Sequence, residues 1–274
     1  MKPEVKKPVT NIRPAPEARE DRDEFFIGYA PPMPPRLARF VTRIVAVLAC
    51  GVLMWAVIVA AGHVPLEGGI FEFGHPQPFA GTIVERPYPA LRLDEAGQNA
   101  TPWLLLVAPG KRGADALVLG LDGRRVTLIG TRIVRGTRTM VEVEPASLVA
   151  GERAEPRLTA AAMRTESFGG QPVKVRGEIV DSKCFLGVMV PGSGKPHKDC
   201  ASLCLRGGIP PALWVHDQSG QSSLLLLTGT SGEPVGAQAL DVVGEAIDMT
   251  GTIERQGGWL VLRTDPTTWQ PVAR

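Results

Sequence analysis

The chain has 274 residues, 44% of them apolar and 21% charged, with a formal net charge of +2. So small a charge leaves no electrostatic footprint for nucleic acid, and the length has room for more than one domain. With 31 glycines, 25 prolines and only 5% aromatic residues, the composition favours short strands and many turns over long helices.

Residues 1–37 read as a disordered cytoplasmic tail. Prolines from Pro3 to Pro35 interrupt a background of mixed charge, so little apolar surface offsets the ordering entropy. Residues 38–62 follow as a transmembrane helix. Ile44 to Ala61 contains neither a charge nor a proline, and its apolar flanks bring it near the ~20 residues that span a bilayer. Arg36, Arg39 and Arg43 precede it, and no Lys or Arg follows until Arg86. The positive-inside rule then leaves the N-terminus in the cytoplasm and the rest outside. This predicts a single-pass inner-membrane protein with periplasmic C-terminal domains. A cleaved signal peptide competes with this reading, but its charged leader would be unusually long. Cys50, inside the span, reads as a small residue facing lipid or another helix.

Residues 63–78 look like a linker. Five short apolar segments come next (79–85, 103–109, 116–121, 126–135 and 139–145), separated by Gly, Asp or Pro, with Asp122-Gly123 a strong hairpin turn. Residues 151–170 are polar and suit a connecting helix. Strands resume at 173–182, 212–217, 223–229, 246–255 and 258–264. The two groups echo each other: residues 126–144 align loosely with 247–265, and FAGTIVE (79–85) resembles VRGEIVD (175–181). The expected fold is therefore mainly β, with the transmembrane helix followed by two tandem OB-like barrels at 79–150 and 171–274.

The second half also carries a dense group of soft ligands. Cys184, His197, Cys200 and Cys204 lie within 21 consecutive residues, and Cys50 is the only other cysteine. Cys184 follows a strand end, and residues 187–196 are rich in Gly and Pro. A short helix is expected between Pro196 and Gly207-Gly208, with Cys200 and Cys204 one turn apart on one side. Four readings fit. A Cys3His metal site suits zinc or copper. A disulfide from Cys184 to Cys200 or Cys204 suits an oxidising exterior and leaves one thiol over. A thiol-redox centre would have its thiolate favoured by Lys183, Lys195, Lys198 and the helix N-terminus. An exposed cysteine pair would receive a metal or cofactor from a partner.

The residues Asp181, Cys184, His197, Cys200, Ala201, Cys204, Gly208, Ile209 and Pro210 resemble a motif of poorly characterised bacterial exported or membrane-anchored proteins. The resemblance covers about forty residues and implies a small extracytoplasmic β domain with a Cys/His site. Met189, His216, His63 and His75 are weaker ligand candidates. Lys111-Arg112 lacks the frame of a phosphate loop, and no hydrolase motif is present.

The sequence thus points to an accessory or assembly component of a membrane complex, and leaves open whether it has a catalytic activity. It would have a membrane-protein partner, no nucleic-acid partner, and a metal-binding or redox-sensitive site at Cys184, His197, Cys200 and Cys204. The alternatives are a disulfide-stapled interaction module and, third, a thiol oxidoreductase.

Overall fold

The computed structural model describes residues 33–62, 68–93, 103–154, 166–168, 170–217 and 219–272. Most of the expected tail, the first part of the linker and the middle of the connecting segment lie outside these residues. The chain forms two compact units, Met1–Pro65 and Leu66–Arg274.

In the first unit, helix α1 (Pro35–Gly62) runs for 28 residues and buries none of its side chains within the protein. Pro35 occupies its first position, where a missing N–H removes no helical bond. At about 1.5 Å per residue the helix is longer than a ~30 Å hydrocarbon layer, so α1 is long and apolar enough to cross a membrane.

The second unit holds two closed five-stranded barrels. The first is built from β2 (Gln77–Val84), β3 (Ala90–Leu93), β4 (Trp103–Ala108), β6 (Arg124–Arg135) and β7 (Arg138–Val143). Its antiparallel neighbours run β4–β3–β2–β6–β7, and the barrel closes where β7 pairs in parallel with β4, Leu105 opposite Met140. Strand β1 (Ile70–Phe71), inside the expected linker, adds to β6, as does β8 (Val149–Arg153).

The second barrel repeats this plan with β10 (Val173–Asp181), β11 (Pro211–His216), β12 (Ser222–Thr228), β13 (Ala246–Gln256) and β14 (Trp259–Thr264). Here β12 and β14 make the parallel closure, Leu225 opposite Leu260. The short β9 (Glu166–Ser167) and β15 (Gln270–Pro271) pair with β13. Both barrels therefore have the OB-like order expected from the repeat.

Glycines explain why the two halves align. Gly81 and Gly177 occupy equivalent places in the first strands, and a Cβ there would lie 2.2 Å and 2.5 Å from a carbonyl oxygen of the neighbouring strand. Gly130 and Gly251 do the same in the fourth strands. The neighbouring strand comes so close at these points that only a residue without a side chain allows the approach.

One predicted strand is corrected. Residues 116–121 do not form a strand; a short helix, α2 (Asp115–Val118), stands there instead. Ala114 and Val118 are both buried, and a helical turn puts residues four apart on one face. Its counterpart in the second barrel is α4 (Gly236–Ala239).

Each barrel interior forms an apolar cluster, and a third cluster joins the two. The joining cluster combines Trp103, Leu105 and Met140 of the first barrel with Phe185, Leu226 and Trp259 of the second. Two buried hydrogen bonds cross the junction. The Trp259 indole N–H donates to the Trp103 carbonyl (3.0 Å), and the buried Tyr88 hydroxyl donates to the Leu227 carbonyl (2.5 Å). Burial pushes the Tyr88 phenol above its ordinary value, so it stays a donor.

Because this cluster is shared, the barrels should unfold together. Trp259→Ala should cost about 3–5 kcal/mol and move one common transition to lower denaturant. Urea titration of the full chain in detergent, followed by circular dichroism, checks this. Two separated transitions in the unaltered protein would contradict it.

Candidate metal centre

The site lies where the second barrel departs from the first. In the first barrel, residues 85–89 join strands one and two; in the second, residues 182–210 do so. This insertion contains a π-helical turn (Cys184–Val188), a loop, a 3₁₀ turn (Lys195–His197) and helix α3 (Lys198–Arg206). Pro196 lies in the 3₁₀ turn, and His197 is the residue just before α3. Cys200 and Cys204 are on one side of α3, and Gly208, at φ +90°, ends the helical path.

Asp181, the last residue of β10, organises the insertion. It is fully buried, and one carboxylate oxygen accepts the Cys184 backbone N–H at 2.9 Å. The other meets the His197 ring Nε2 at 2.9 Å. A buried carboxylate is tolerated only when its oxygens find donors, and here one comes from the start of the insertion and one from its middle. The Gly194 N–H donates to Glu178 of the same strand, which draws the intervening loop onto β10.

The three sulfurs of Cys184, Cys200 and Cys204 lie within 4.8 Å of one another. Cys184 and Cys204 are buried, and Cys200 is partly exposed. Cys184 also shares a second group, within the same distance, with Asp181 and His197. The structure thus brings the three cysteines together and places His197 against Cys184 and Asp181 rather than in the thiol trio. The Cys184 and Cys204 sulfurs are 4.0 Å apart. Sulfurs that bind one zinc ion at about 2.3 Å in tetrahedral geometry stand roughly 4 Å from each other, so the spacing fits a shared ion.

Two lysines complete the surroundings, and both link the barrels. Lys183 is 2% exposed and reaches into the first barrel. Its ammonium donates to the carbonyls of Ala108 (2.9 Å) and Gly110 (2.6 Å) and pairs with the Glu142 carboxylate. All three of its donors are used inside the protein. The lysine beside the thiols is Lys111, from the first barrel, with Nζ 2.6 Å from the Cys200 sulfur. Lys198, expected to favour a thiolate, pairs with Glu245 at 2.9 Å. Lys111 was visible in the sequence only as a residue outside any phosphate loop; no local signal connects it to Cys200, 89 positions away.

The Lys111 loop is held by backbone contact. The Gly113 N–H, in the short strand β5 (Arg112–Gly113), donates to the Gly207 carbonyl at 2.8 Å. A Cβ on Gly207 would lie 1.7 Å from the Lys111 carbonyl oxygen.

The two buried thiols perturb each other. Hydrogen bonding from Cys184 holds Cys204 below the ordinary thiol value, with the Lys111 charge adding to this against the cost of burial. Cys184 is pushed up by that same bond, then by burial and the nearby Asp181 charge. The Lys111 ammonium is in turn favoured by its bond to Cys200.

No protein-family model and no curated protein matches the sequence. Among solved structures, the single-stranded DNA binding protein from Thermus aquaticus is similar over 76% of this chain and 95% of its own, at 13% identity and a TM-score of 0.21. The barrel assignment rests on strand order and register.

Two outcomes follow for the metal-free protein. Lys111→Met should raise the pH at which the first thiol of the pair becomes alkylated, because a neighbouring positive charge is lost; Asp181→Asn should lower it, because a negative one is lost. Mass-resolved alkylation against pH reads both, and shifts of the same sign would refute this electrostatic picture. Gly207→Ala should destabilise the chain by about 1–3 kcal/mol through overpacking against the Lys111 loop. A denaturation midpoint unchanged from that of the unaltered protein would show that this approach is not tight.

Proposed function

We propose that this chain is a membrane-anchored metal-binding protein whose thiol trio, with His197 as a fourth ligand, holds zinc or Cu(I) outside the cytoplasm. The observation that carries this reading is the convergence of three cysteine sulfurs within 4.8 Å at the junction of two barrels. Thiolates with imidazole suit zinc and soft copper. Asp181 supports His197 as carboxylates support metal-bound histidines elsewhere, by fixing the ring through one nitrogen.

The anchoring rests on the length and apolar character of α1, and the periplasmic placement of the barrels on the positive-inside rule applied to Arg36, Arg39 and Arg43 near its N-terminal end. The resemblance of the Asp181–Pro210 residues to bacterial exported proteins supports the same placement. In that setting the chain acts as an accessory or assembly component that presents its ion to a membrane-protein partner. Cys200, partly exposed, is the ligand through which an incoming thiol can exchange.

The contact between the Cys184 and Cys204 sulfurs favours one second reading, a disulfide-stapled interaction module with Cys200 left as a thiol. Elemental analysis of the full chain, purified anaerobically in detergent, decides between them. One equivalent of zinc or copper, lost in Cys204→Ser and weakened about 10–100-fold in Asp181→Asn, is the expected result. No metal, with one free extracytoplasmic thiol, would establish the stapled module instead.

A further inference from the structure

Lys111 and Cys200 belong to different barrels, yet their nitrogen and sulfur are 2.6 Å apart. Even N–H···O bonds, with the smaller acceptor, centre at about 2.9–3.0 Å. A hydrogen bond to sulfur is longer, and a direct N–S bond much shorter. The separation is that imposed by one oxygen atom bonded to both and bent between them. Both sides are anchored: Cys200 by the first turn of α3, and Lys111 by the Gly113–Gly207 contact. Cys200 is also the most accessible thiol of the trio, since Cys184 and Cys204 are buried.

We propose that Lys111 and Cys200 form a covalent N–O–S bridge when the metal-free protein meets dioxygen. The ammonium first releases a proton. The neutral amine, the thiol and dioxygen then give the bridge and one water. Sulfur and nitrogen each lose two electrons, and these four reduce dioxygen, with one oxygen atom retained in the bridge and the other leaving as water. Two equivalents of a dithiol reductant, each oxidised to its disulfide, return four electrons and four protons, releasing amine, thiol and a second water. The bridge removes Cys200 from the thiol trio and ties the two barrels covalently, so oxidation closes the cluster to soft metals. It uses the cysteine of the proposed metal centre but needs no metal to form.

The test uses the full chain in detergent, reduced, stripped of metal by a chelator and then exposed to air-saturated buffer. Intact mass should increase by one oxygen less two hydrogens, and digestion should give the Lys111 peptide joined to the Cys200 peptide. Dithiothreitol should reverse both changes. Lys111→Arg, which keeps the positive charge, should abolish the mass gain. The proposal is overturned by loss of two hydrogens alone, by oxygen found on Cys200 without a link to Lys111, or by an unchanged mass. Failure of the metal reading would appear separately, as absence of bound metal in the reduced, unstripped chain.

Discussion

A carboxylate withdrawn entirely from water has to find its hydrogen-bond donors within the protein, and Asp181 finds one close by in sequence, at Cys184, and one farther along, at His197. The backbone N–H of Cys184 fixes the π-helical turn, and the His197 ring fixes the residue at which α3 begins. Between them they set where all three sulfurs lie, because Cys184 follows the turn and Cys200 and Cys204 follow the helix. Burying a charge is costly unless its partners are well placed. The same requirement that makes Asp181 demanding therefore makes the geometry around it specific.

The site belongs to both barrels. Lys183 extends from the insertion into the first barrel and spends its donors on Ala108, Gly110 and Glu142; Lys111 extends the other way to Cys200. The two lysines act differently. Lys183 is buried and saturated, so it serves as a structural fastening, whereas Lys111 is exposed apart from its contact with sulfur. Two thiols of the trio also line the apolar cluster between the barrels, which keeps water from them and strengthens every charge effect nearby.

Much of the fold was legible because the determinants are local and repeated. Short apolar runs bounded by Gly, Asp or Pro marked the strands, and the likeness of 79–85 to 175–181 and of 126–144 to 247–265, which contain the equivalent glycines Gly81 and Gly177, Gly130 and Gly251, made the duplication visible. The segment 116–121 misled because a short apolar run has no period that separates strand from helix; the burial of Val118 beside Ala114 settles it in the structure. At the site, spacing placed Cys200 and Cys204 on one side of a helix. It did not show that His197 would turn to Asp181, since a hydrogen bond between a strand end and a loop leaves no periodic trace. Lys111 was less accessible still, because its role depends on how one barrel packs on the other.

The insertion begins and ends on residues that already face each other, since Asp181 pairs with Pro211 across β10 and β11. Closing a loop costs entropy mainly in bringing its ends together, and here the barrel meets that cost before the insertion orders itself. The segment then needs only its internal hydrogen bonds and its contacts with the first barrel to hold its shape. Small metal-dependent domains differ, because for them the ion provides the folding energy. In this chain the duplicated barrel supplies a cradle for the cysteine cluster, so an ion bound there would not have to provide the energy that folds the protein.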